Sequence, residues 1–432
     1  MASPALLPLS VLCVSTFLVF LAYSSMQNLE SSVSKGTGTT AVGVIYVSII
    51  LGTPFAPKVI GLLGRKWSSV FSTCTYVVFV ASNLYPKLSV MIPAAVIIGL
   101  GGSVFWPTTL SLLKHFSARR AKALGGDENK TLDHFSSIFW GVFQLSQLTG
   151  SLMIFLIFSK GGDDAQSSEK LLALIFTATC AMGCLCTAAL LENVDEGGFV
   201  EEQQQQQQQE EKDVESDKVA SKGGADLKFA LKLLMSPQSF LLFGIYVYNG
   251  MEQGFAWCNF TSGMVLAAYE KEAMIGILML CYAAANALTS ITTSQLSSSG
   301  AMTRGLIFLA IVSQTACVLV TNQILKDQKV ALYVTAIFLG AGDALLNTKI
   351  GVLLGSDFKG KTHVIMVTIW RGFTSAGCAV PFFLSNHTGI DFDVLMLVGV
   401  GMLAVISFAF YCRLNASEKE EAEQYEPILS GD

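Results

Sequence analysis

Twelve long apolar stretches dominate the chain, and one hydrophilic segment separates the first six from the last six. An α-helix needs about 20 apolar residues to cross the roughly 30 Å hydrocarbon core of a bilayer. The stretches are continuously apolar, without the strict alternation that barrel strands show. Only 14% of the residues are charged, whereas soluble domains carry about 25%. The sequence therefore predicts an all-α, polytopic membrane protein whose twelve transmembrane helices lie in a lipid bilayer.

The domain organisation follows from the position of the hydrophilic segment. The pattern predicts an N-terminal six-helix bundle over 1–191, a C-terminal six-helix bundle over 238–412 and a cytosolic tail over 413–432. The intervening segment, 192–237, is acidic and contains the uninterrupted run Gln203–Gln209. Because such a composition buries little apolar area, we expect a disordered cytosolic linker there. The predicted spans are 5–27, 41–60, 68–85, 90–113, 135–158, 170–191, 238–257, 273–293, 304–322, 330–354, 363–385 and 392–412.

Lysine and arginine residues indicate the orientation, because cytosolic loops carry an excess of them. With both termini in the cytosol, 18 of the 27 basic residues fall on the cytosolic side, 7 fall on the other side and 2 lie inside spans. We therefore predict cytosolic termini. No Lys or Arg precedes Lys35, so the first span lacks the positive region of a secretory signal and is interpreted as an uncleaved helix.

Ionisable residues interrupt the second-half spans, where a charge at the bilayer centre costs about 2.5–3.5 kcal/mol. Glu252, beside Gln253, lies in the seventh span, Asp343 in the tenth and Arg371 in the eleventh. All are candidate cavity or coupling residues. Glu252 is either a coupling or ion-paired residue inside the membrane or a headgroup-level residue at the end of a shorter span. Asp343 and Arg371 are candidates for an intramembrane ion pair with a structural or a transport-linked role.

Polar residues of the first half are the matching candidates for lining a cavity. Gln27 and Asn28 close the first span, Asn83 lies near the end of the third, and Trp106 follows a glycine-rich stretch in the fourth. Glycine in a transmembrane helix usually indicates close helix packing. Trp106 is therefore either a cavity residue or a packing residue.

A short turn between the second and third spans contains Gly61, Gly64, Arg65 and Lys66. It resembles the end of the Gly-x-x-x-Asp-x-x-Gly-Arg-Lys turn that gates major-facilitator proteins. The Asp is absent, because two leucines follow Gly61. We therefore predict a cytosolic gating turn that lacks a tight Asp–Arg pair.

Two kinds of short signal bear on modification and location. Asn259 and Asn386 begin Asn-x-Thr sequons on the predicted outer side, so we predict them as N-glycosylation acceptors. Tyr425 and Ile428 give the tail the Tyr-x-x-apolar form that endocytic sorting adaptors read; a plain solvated tail is the alternative. We expect a multi-pass protein of the plasma membrane or of an endosomal or lysosomal membrane.

The sequence shows no phosphate loop, no hydrolytic triad and no histidine or cysteine pattern with the spacing of metal ligands. We accordingly expect no enzymatic activity, no cofactor, no metal and no nucleic-acid partner.

Several motifs are shared with one known family. They are Gln27-Asn28-Leu29-Glu30, Ala81–Pro86, Ile92–Ala95 and Gly99–Gly101 with Trp106 in the first half, and Gly250–Phe255 and Gly342–Ala344 in the second. In these motifs the chain resembles the unc-93-like family, a branch of the major-facilitator superfamily. The resemblance implies two six-helix bundles facing each other. Members often carry Trp-Glu-Ser in the eleventh span, whereas Trp370-Arg371-Gly372 stands here, so a role of that Glu does not carry over.

Two functions remain open. The first is an accessory or regulatory protein that binds an ion channel subunit or a receptor, which some family members do. The gating turn without its Asp and the tail with a sorting-adaptor pattern favour this function. The second is a secondary transporter of a small solute or ion, coupled through Glu252 or Asp343. The intramembrane acids favour this alternative.

Overall fold

The structure, a computed structural model, describes residues 6–33, 36–160, 165–193, 232–295, 300–325, 328–358 and 360–429. Within these ranges the backbone forms twelve helices. They are α1 (Leu6–Val33), α2 (Thr37–Gly52), α3 (Ala56–Ser82), α4 (Leu88–Leu124), α5 (Glu128–Lys160), α6 (Ala165–Leu190), α7 (Pro237–Gly254, continued by Phe255–Leu266 and Ala267–Tyr269), α8 (Ala273–Gln295), α9 (Gly300–Gln323), α10 (Lys329–Asp357), α11 (Gly360–Leu384) and α12 (Ile390–Leu429).

Most of these helices are long and apolar enough to cross a bilayer. Nine stretches of the described residues meet that condition, and one of them, Thr37–Ser82, spans 46 residues and holds two crossings. α7 and α11 complete the twelve. Large apolar side chains lie exposed on the outward faces, among them Leu174, Leu185, Leu309 and Leu403, as expected for surfaces that contact lipid.

The predicted turn between the second and third crossings is present. A 3₁₀ turn, Thr53–Phe55, joins α2 to α3, and α3 is broken at Gly64, whose φ of 73° and ψ of 167° lie outside the helical region. Only glycine adopts such a backbone at low cost, so Gly64 separates the two crossings. Arg65 is buried beside this break.

The helices form two halves, α1–α6 and α7–α12. One apolar core, from Leu242 to Tyr411, belongs wholly to the second half. Another fills the first half and includes three side chains of the second half, Cys258, Cys378 and Phe382. The predicted fold, two six-helix bundles, is confirmed. Most of the predicted linker, 194–231, lies outside the described residues.

Several helices extend beyond the predicted spans, and the extensions of α7 and α12 are the longest. α7 was expected to end at 257, but it continues as a π-helix from Phe255 to Leu266 and ends at Tyr269. The polar residues that suggested a loop have partners there: Thr261 and Ser262 donate to the Cys258 carbonyl oxygen. α12 continues to Leu429, so much of the predicted tail has a helical backbone.

The halves meet at one end of the molecule. We call the end that carries residues 6, 190, 237 and 417 the termini end, and the opposite end the far end. α1 packs against the π-helical part of α7, α2 against α11, and α5 against α8. Contacts of this kind, such as the Phe383 ring next to Gly43 and the Phe155 backbone next to Gly276, lie toward the far end. At the termini end, the ion pairs Arg119–Glu192 and Arg304–Asp357 each stay within one half. These two ion pairs therefore do not join the halves, whereas the contacts named above do.

α7 and α11 cross closely because glycines face each other's backbone. A Cβ atom on Gly250 would overlap the carbonyl oxygen of Thr374, and one on Gly377 would overlap that of Val247. Small residues at such crossings allow helix backbones to approach each other in a membrane. This crossing positions α7, which carries Glu252.

Prediction for this crossing: Gly250→Val lowers the stability of the folded protein. Overpacking of this kind costs about 1–3 kcal/mol. We expect a lower midpoint of thermal unfolding, measured in detergent by the loss of monodisperse protein after heating. Gly372→Val is the matched control, since a Cβ on Gly372 has no other atom within 4 Å. Equal midpoints for the two variants would contradict the close crossing.

Candidate functional site

Asp343, in the middle of α10, is the centre of a buried polar cluster. It follows Gly340 and Gly342, at which a Cβ atom would overlap the backbone of Tyr282 and the side chain of Gln314. The two glycines therefore bring α8 and α9 close to this part of α10. The Asp343 side chain is only 6% exposed, so its charge depends on hydrogen bonds from these neighbours.

Four neutral side chains donate to the Asp343 carboxylate, two to each oxygen. Oδ1 accepts from Gln253 Nε2 at 2.9 Å and from Asn347 Nδ2 at 2.6 Å. Oδ2 accepts from the Tyr282 hydroxyl at 2.9 Å and from Asn286 Nδ2 at 2.6 Å. A carboxylate offers about four lone-pair positions. The hydrogen bonds of Asp343 are therefore saturated in its ionised form.

Glu252 lies beside this carboxylate and is fully buried. Its side chain is within hydrogen-bonding reach of Asp343. Oε2 accepts from Gln314 Nε2 at 3.0 Å, and Oε1 has no donor among the described residues. Two carboxyl groups within hydrogen-bonding reach of each other cannot both be ionised at low cost, so one of them carries a proton. Since four donors already stabilise the ionised form of Asp343, the protonated group is Glu252. The interpretation of Glu252 as a headgroup-level residue is wrong, because α7 continues to Tyr269.

The cluster extends to the first half. Asn286 accepts from Gln144 Nε2 of α5 at 2.9 Å and donates to Asp343. A continuous hydrogen-bonded path thus joins α5, α8, α10 and α7. Gln144 belongs to the first half and Asn286 to the second. Movement of the two halves relative to each other would therefore strain the hydrogen bond between these two side chains.

Arg371 does not form the predicted ion pair. Asp343 takes its hydrogen bonds from neutral side chains, and the Arg371 guanidinium stacks on Trp370, 4.2 Å from the ring centroid. Asp343 acts on Arg371 only at longer range. The Arg371 side chain is exposed near the middle of α11. The pair does not form because hydrogen bonds from four other side chains already satisfy Asp343.

The first-half candidates are spread over several places. Gln27 donates to the Tyr46 hydroxyl at 3.2 Å, and the Tyr46 ring stacks on Phe382 of α11, so Gln27 supports the contact between the halves. Asn28 is buried on the same helix. Asn83 lies at the far end and donates to the Phe79 carbonyl oxygen.

Trp106 belongs to an aromatic cluster. Its ring stacks on Trp140 with centroids 5.6 Å apart and also contacts Phe20, Phe105 and Phe143. Of the two interpretations of Trp106, the packing residue is the one these contacts favour.

Sequence reasoning missed several members of the Asp343 cluster, namely Tyr282, Asn286 and Gln314. A weak signal existed in an internal repeat. The pattern Tyr-x-x-Met-Gln-Asn begins at Tyr23, and Tyr-x-x-Met-Glu-Gln begins at Tyr248. These patterns lie on α1 and α7, the first helices of the two halves. The partners come from α8 and α9, and no such pattern marks them.

The termini end carries a second feature that sequence reasoning missed. Asp357 pairs with Arg304 at 3.2 Å and accepts from the Tyr411 hydroxyl and Asn415 Nδ2 at 2.8 and 2.7 Å. Arg304, just after the turn between α8 and α9, therefore has an Asp partner at the end of α10. The turn with Gly61, Gly64, Arg65 and Lys66 has no Asp in its own sequence, and its role as a gating turn stays a prediction.

The two predicted glycosylation sites differ. Asn259 lies inside the π-helical part of α7 and is 2% exposed, so the folded protein has no room for a glycan there. Asn386 is exposed in the connection between α11 and α12 and stays a prediction. Tyr425 and Ile428 have a helical backbone in α12, and the described part of the structure does not include their side chains.

Twelve helices in two halves, with a polar cluster inside the membrane region, define a protein of the major-facilitator class. The particular family follows from the sequence: residues 29–409 match the family model described as "Ion channel regulatory protein UNC-93". The chain belongs to this family.

Three relatives illustrate the match. "UNC93-like protein 3" of Arabidopsis thaliana is 30% identical, with 90% of this chain and 82% of the relative covered. "Protein unc-93 homolog A" of Bos taurus is 27% identical, with coverages of 98% and 95%. "Putative potassium channel regulatory protein unc-93" of Caenorhabditis elegans is 23% identical, with coverages of 92% and 60%.

Solved structures support the fold alone. The nucleoside transporter NupG matches with a TM-score of 0.63 at 15% identity, covering 94% of this chain and 98% of the transporter. A POT family transporter matches with a TM-score of 0.61 at 10% identity, with coverages of 95% and 96%.

Prediction for the acidic cluster: Asp343→Asn destabilises the protein much more than Glu252→Gln. The amide introduced by Asp343→Asn would turn its nitrogen toward two donors, and each buried donor without an acceptor costs about 1–3 kcal/mol. Glu252→Gln replaces a neutral carboxyl group with a neutral amide. The measurement is the thermal unfolding midpoint of both variants in detergent. A larger loss for Glu252→Gln would mean that the proton is on Asp343.

Proposed function

We propose that this protein is an accessory protein that binds an ion channel in the membrane and sets its activity or its location. The observation that carries the proposal is the family match over 29–409, whose description is an ion channel regulatory protein. The name of the Caenorhabditis elegans relative, a potassium channel regulatory protein, supports a potassium channel as the partner. A receptor is the other kind of membrane partner that this function allows.

The lipid-facing surface is compatible with binding a second membrane protein. Trp67 and Leu62 are 56% and 85% exposed next to the turn at Gly64. They present large apolar side chains at the termini end, where a channel helix can pack against them. The excess of Lys and Arg supports a cytosolic termini end. The Tyr425–Ile428 pattern supports traffic between the plasma membrane and endosomal or lysosomal membranes.

Prediction for channel regulation: co-expression of this protein with a potassium channel changes the whole-cell current density, relative to the channel alone, for at least one structural class of channel. Representatives of each structural class of potassium channel are tested one at a time, and surface biotinylation separates a change in activity from a change in location. Trp67→Ala with Leu62→Ala should weaken the effect, whereas Leu403→Ala with Leu174→Ala, on other exposed faces, should not. If no channel class responds to the wild-type protein, the proposal fails.

A second candidate function is solute transport, because one specific observation favours it. The exposed Arg371 and the buried Glu252–Asp343 pair lie near the middle of spanning helices. The Gln144–Asn286 bond joins the surroundings of this pair to the other half. If solute binding or movement of the halves changed the hydrogen bonds around the pair, Glu252 could release its proton. Release of the proton would then be coupled to movement of the solute. Arg371 would attract an anionic group of the solute.

Prediction for transport: purified protein in liposomes couples proton entry to solute entry. A pH-sensitive dye inside the liposomes reports proton entry as small carboxylates, nucleosides and potassium salts are added in turn. We expect Glu252→Gln to abolish solute-dependent proton entry and Arg371→Gln to weaken it.

Glu272→Gln, outside the membrane interior, and Arg413→Gln, at the termini end, are the matched controls for that measurement. If wild-type liposomes show no solute-dependent proton entry while channel currents respond to the protein, the transport function is excluded and the accessory function stands.

A further inference from the structure

A polar cavity at the far end lies between the two halves and has no role in the functions above. Its volume is about 240 Å³. Its polar lining comes from α2, from the π-helical part of α7, and from the α11–α12 connection with the start of α12: Thr39, Asn259, Ser262, Ser385, Thr388 and Asp393. The exposed Asn386 lies at the same cavity, so the cavity is reached from the far-end solution.

Asn259 and Asp393, both in the lining of this cavity, are hydrogen-bonded to each other. Asn259 Nδ2 donates to Asp393 Oδ2 at 2.6 Å. Since a carboxylate only accepts hydrogen bonds, the amide nitrogen must face Asp393, and this fixes the position of the amide oxygen. Asn259 Oδ1 is buried and has no donor among the described residues. A buried acceptor without a partner costs about 1–3 kcal/mol, so the Asn259–Asp393 hydrogen bond fixes this amide at a cost to stability.

The hydroxyl groups of the lining present oxygen lone pairs. Ser262 donates its hydrogen to the Cys258 carbonyl oxygen at 2.8 Å, and Ser385 donates to that of Phe382 at 3.2 Å. Thr388 has two acceptors for its single hydrogen, the Leu384 carbonyl oxygen and Asp393 Oδ1. These hydroxyl oxygens can therefore accept from, or coordinate, what enters the cavity.

The charge and the type of ligand atom identify the class of ligand. The lining contains one carboxylate and no Lys, Arg or His. All the ligand atoms that it offers are oxygens, which hard cations prefer. One negative charge balances one positive charge. The described residues contain no group of three or more His, Cys, Asp or Glu side chains that could hold a metal ion, so the ligands of a cation here would be mainly neutral oxygens.

We propose that this cavity binds an alkali-metal cation, Na⁺ or K⁺, from the far-end solution. Asp393 supplies the charge, and the hydroxyl oxygens of Ser262 and Thr388 supply neutral oxygen ligands. A water molecule takes about 30 Å³ in the liquid, so the cavity accommodates the ion with part of its hydration shell. Asn386 Nδ2 donates to Thr39 Oγ1 at 2.7 Å across the two halves. A bound cation would therefore stabilise the contact between the halves at the far end.

The experiment measures cation-dependent stability and binding with purified full-length protein. Thermal unfolding midpoints are compared in sodium, potassium and N-methyl-D-glucamine chlorides of equal ionic strength. We expect sodium or potassium to raise the midpoint by about 2 °C or more above that in N-methyl-D-glucamine. Asp393→Asn should abolish this difference. Titration of the effective salt gives the half-saturating concentration, which Ser262→Ala should raise without preventing folding.

Asp391→Asn is the matched control. Asp391 is also in the first turn of α12, but it is exposed and accepts from Asn322 Nδ2 at 2.7 Å outside the cavity lining. It should keep the cation dependence of the wild type. Equal midpoints of the wild type in all three salts would overturn the proposal. So would an Asp393→Asn variant that is less stable but responds to cations as before, because Asp393 would then only stabilise the helix N-terminus. The outcome does not depend on channel regulation or on transport.

Discussion

The saturated carboxylate of Asp343 is the interaction on which the second half of the molecule depends. A charge in the membrane interior is costly unless hydrogen bonds replace its hydration. Four donors from α7, α8 and α10 do so here. They fix the positions of those helices relative to one another. They also leave Glu252 as the less satisfied acid of the pair and Arg371 without an ion-pair partner in Asp343.

The contact between the halves is asymmetric, and this asymmetry gives the polar groups their different surroundings. Near the far end, Tyr46 stacks on Phe382 and Asn386 donates to Thr39. Toward the termini end the ion pairs remain within each half. An ensemble that exchanges two such arrangements needs contacts that form in one state and break in the other. The far-end contacts and the Gln144–Asn286 bond join the two halves, so such an exchange would have to break or rearrange them.

Much of the candidate site could be predicted from the sequence, and the physical reason is the bilayer. Lipid excludes polar groups, so Glu252, Asp343 and Arg371 were conspicuous within apolar spans. The partners were not. Asn286 and Gln314 are neutral amides, which a spanning helix accepts at modest cost, so their presence indicates nothing about which helix they face. The expected Asp343–Arg371 pair failed for the same reason: opposite charge on neighbouring spans says nothing about competing donors.

The sequence by itself determined the number of helices, their division into two halves and the turn at Gly64, because these follow from apolar length and from the backbone freedom of glycine. Only the tertiary structure decided where polar residues near helix ends belong. Asn259 looked like a glycosylation site in a loop, yet the helix continues through it and Asp393 of another helix holds its amide. Hydrogen bonds between helices that are distant in sequence supply the energy for that continuation, and no local pattern records them.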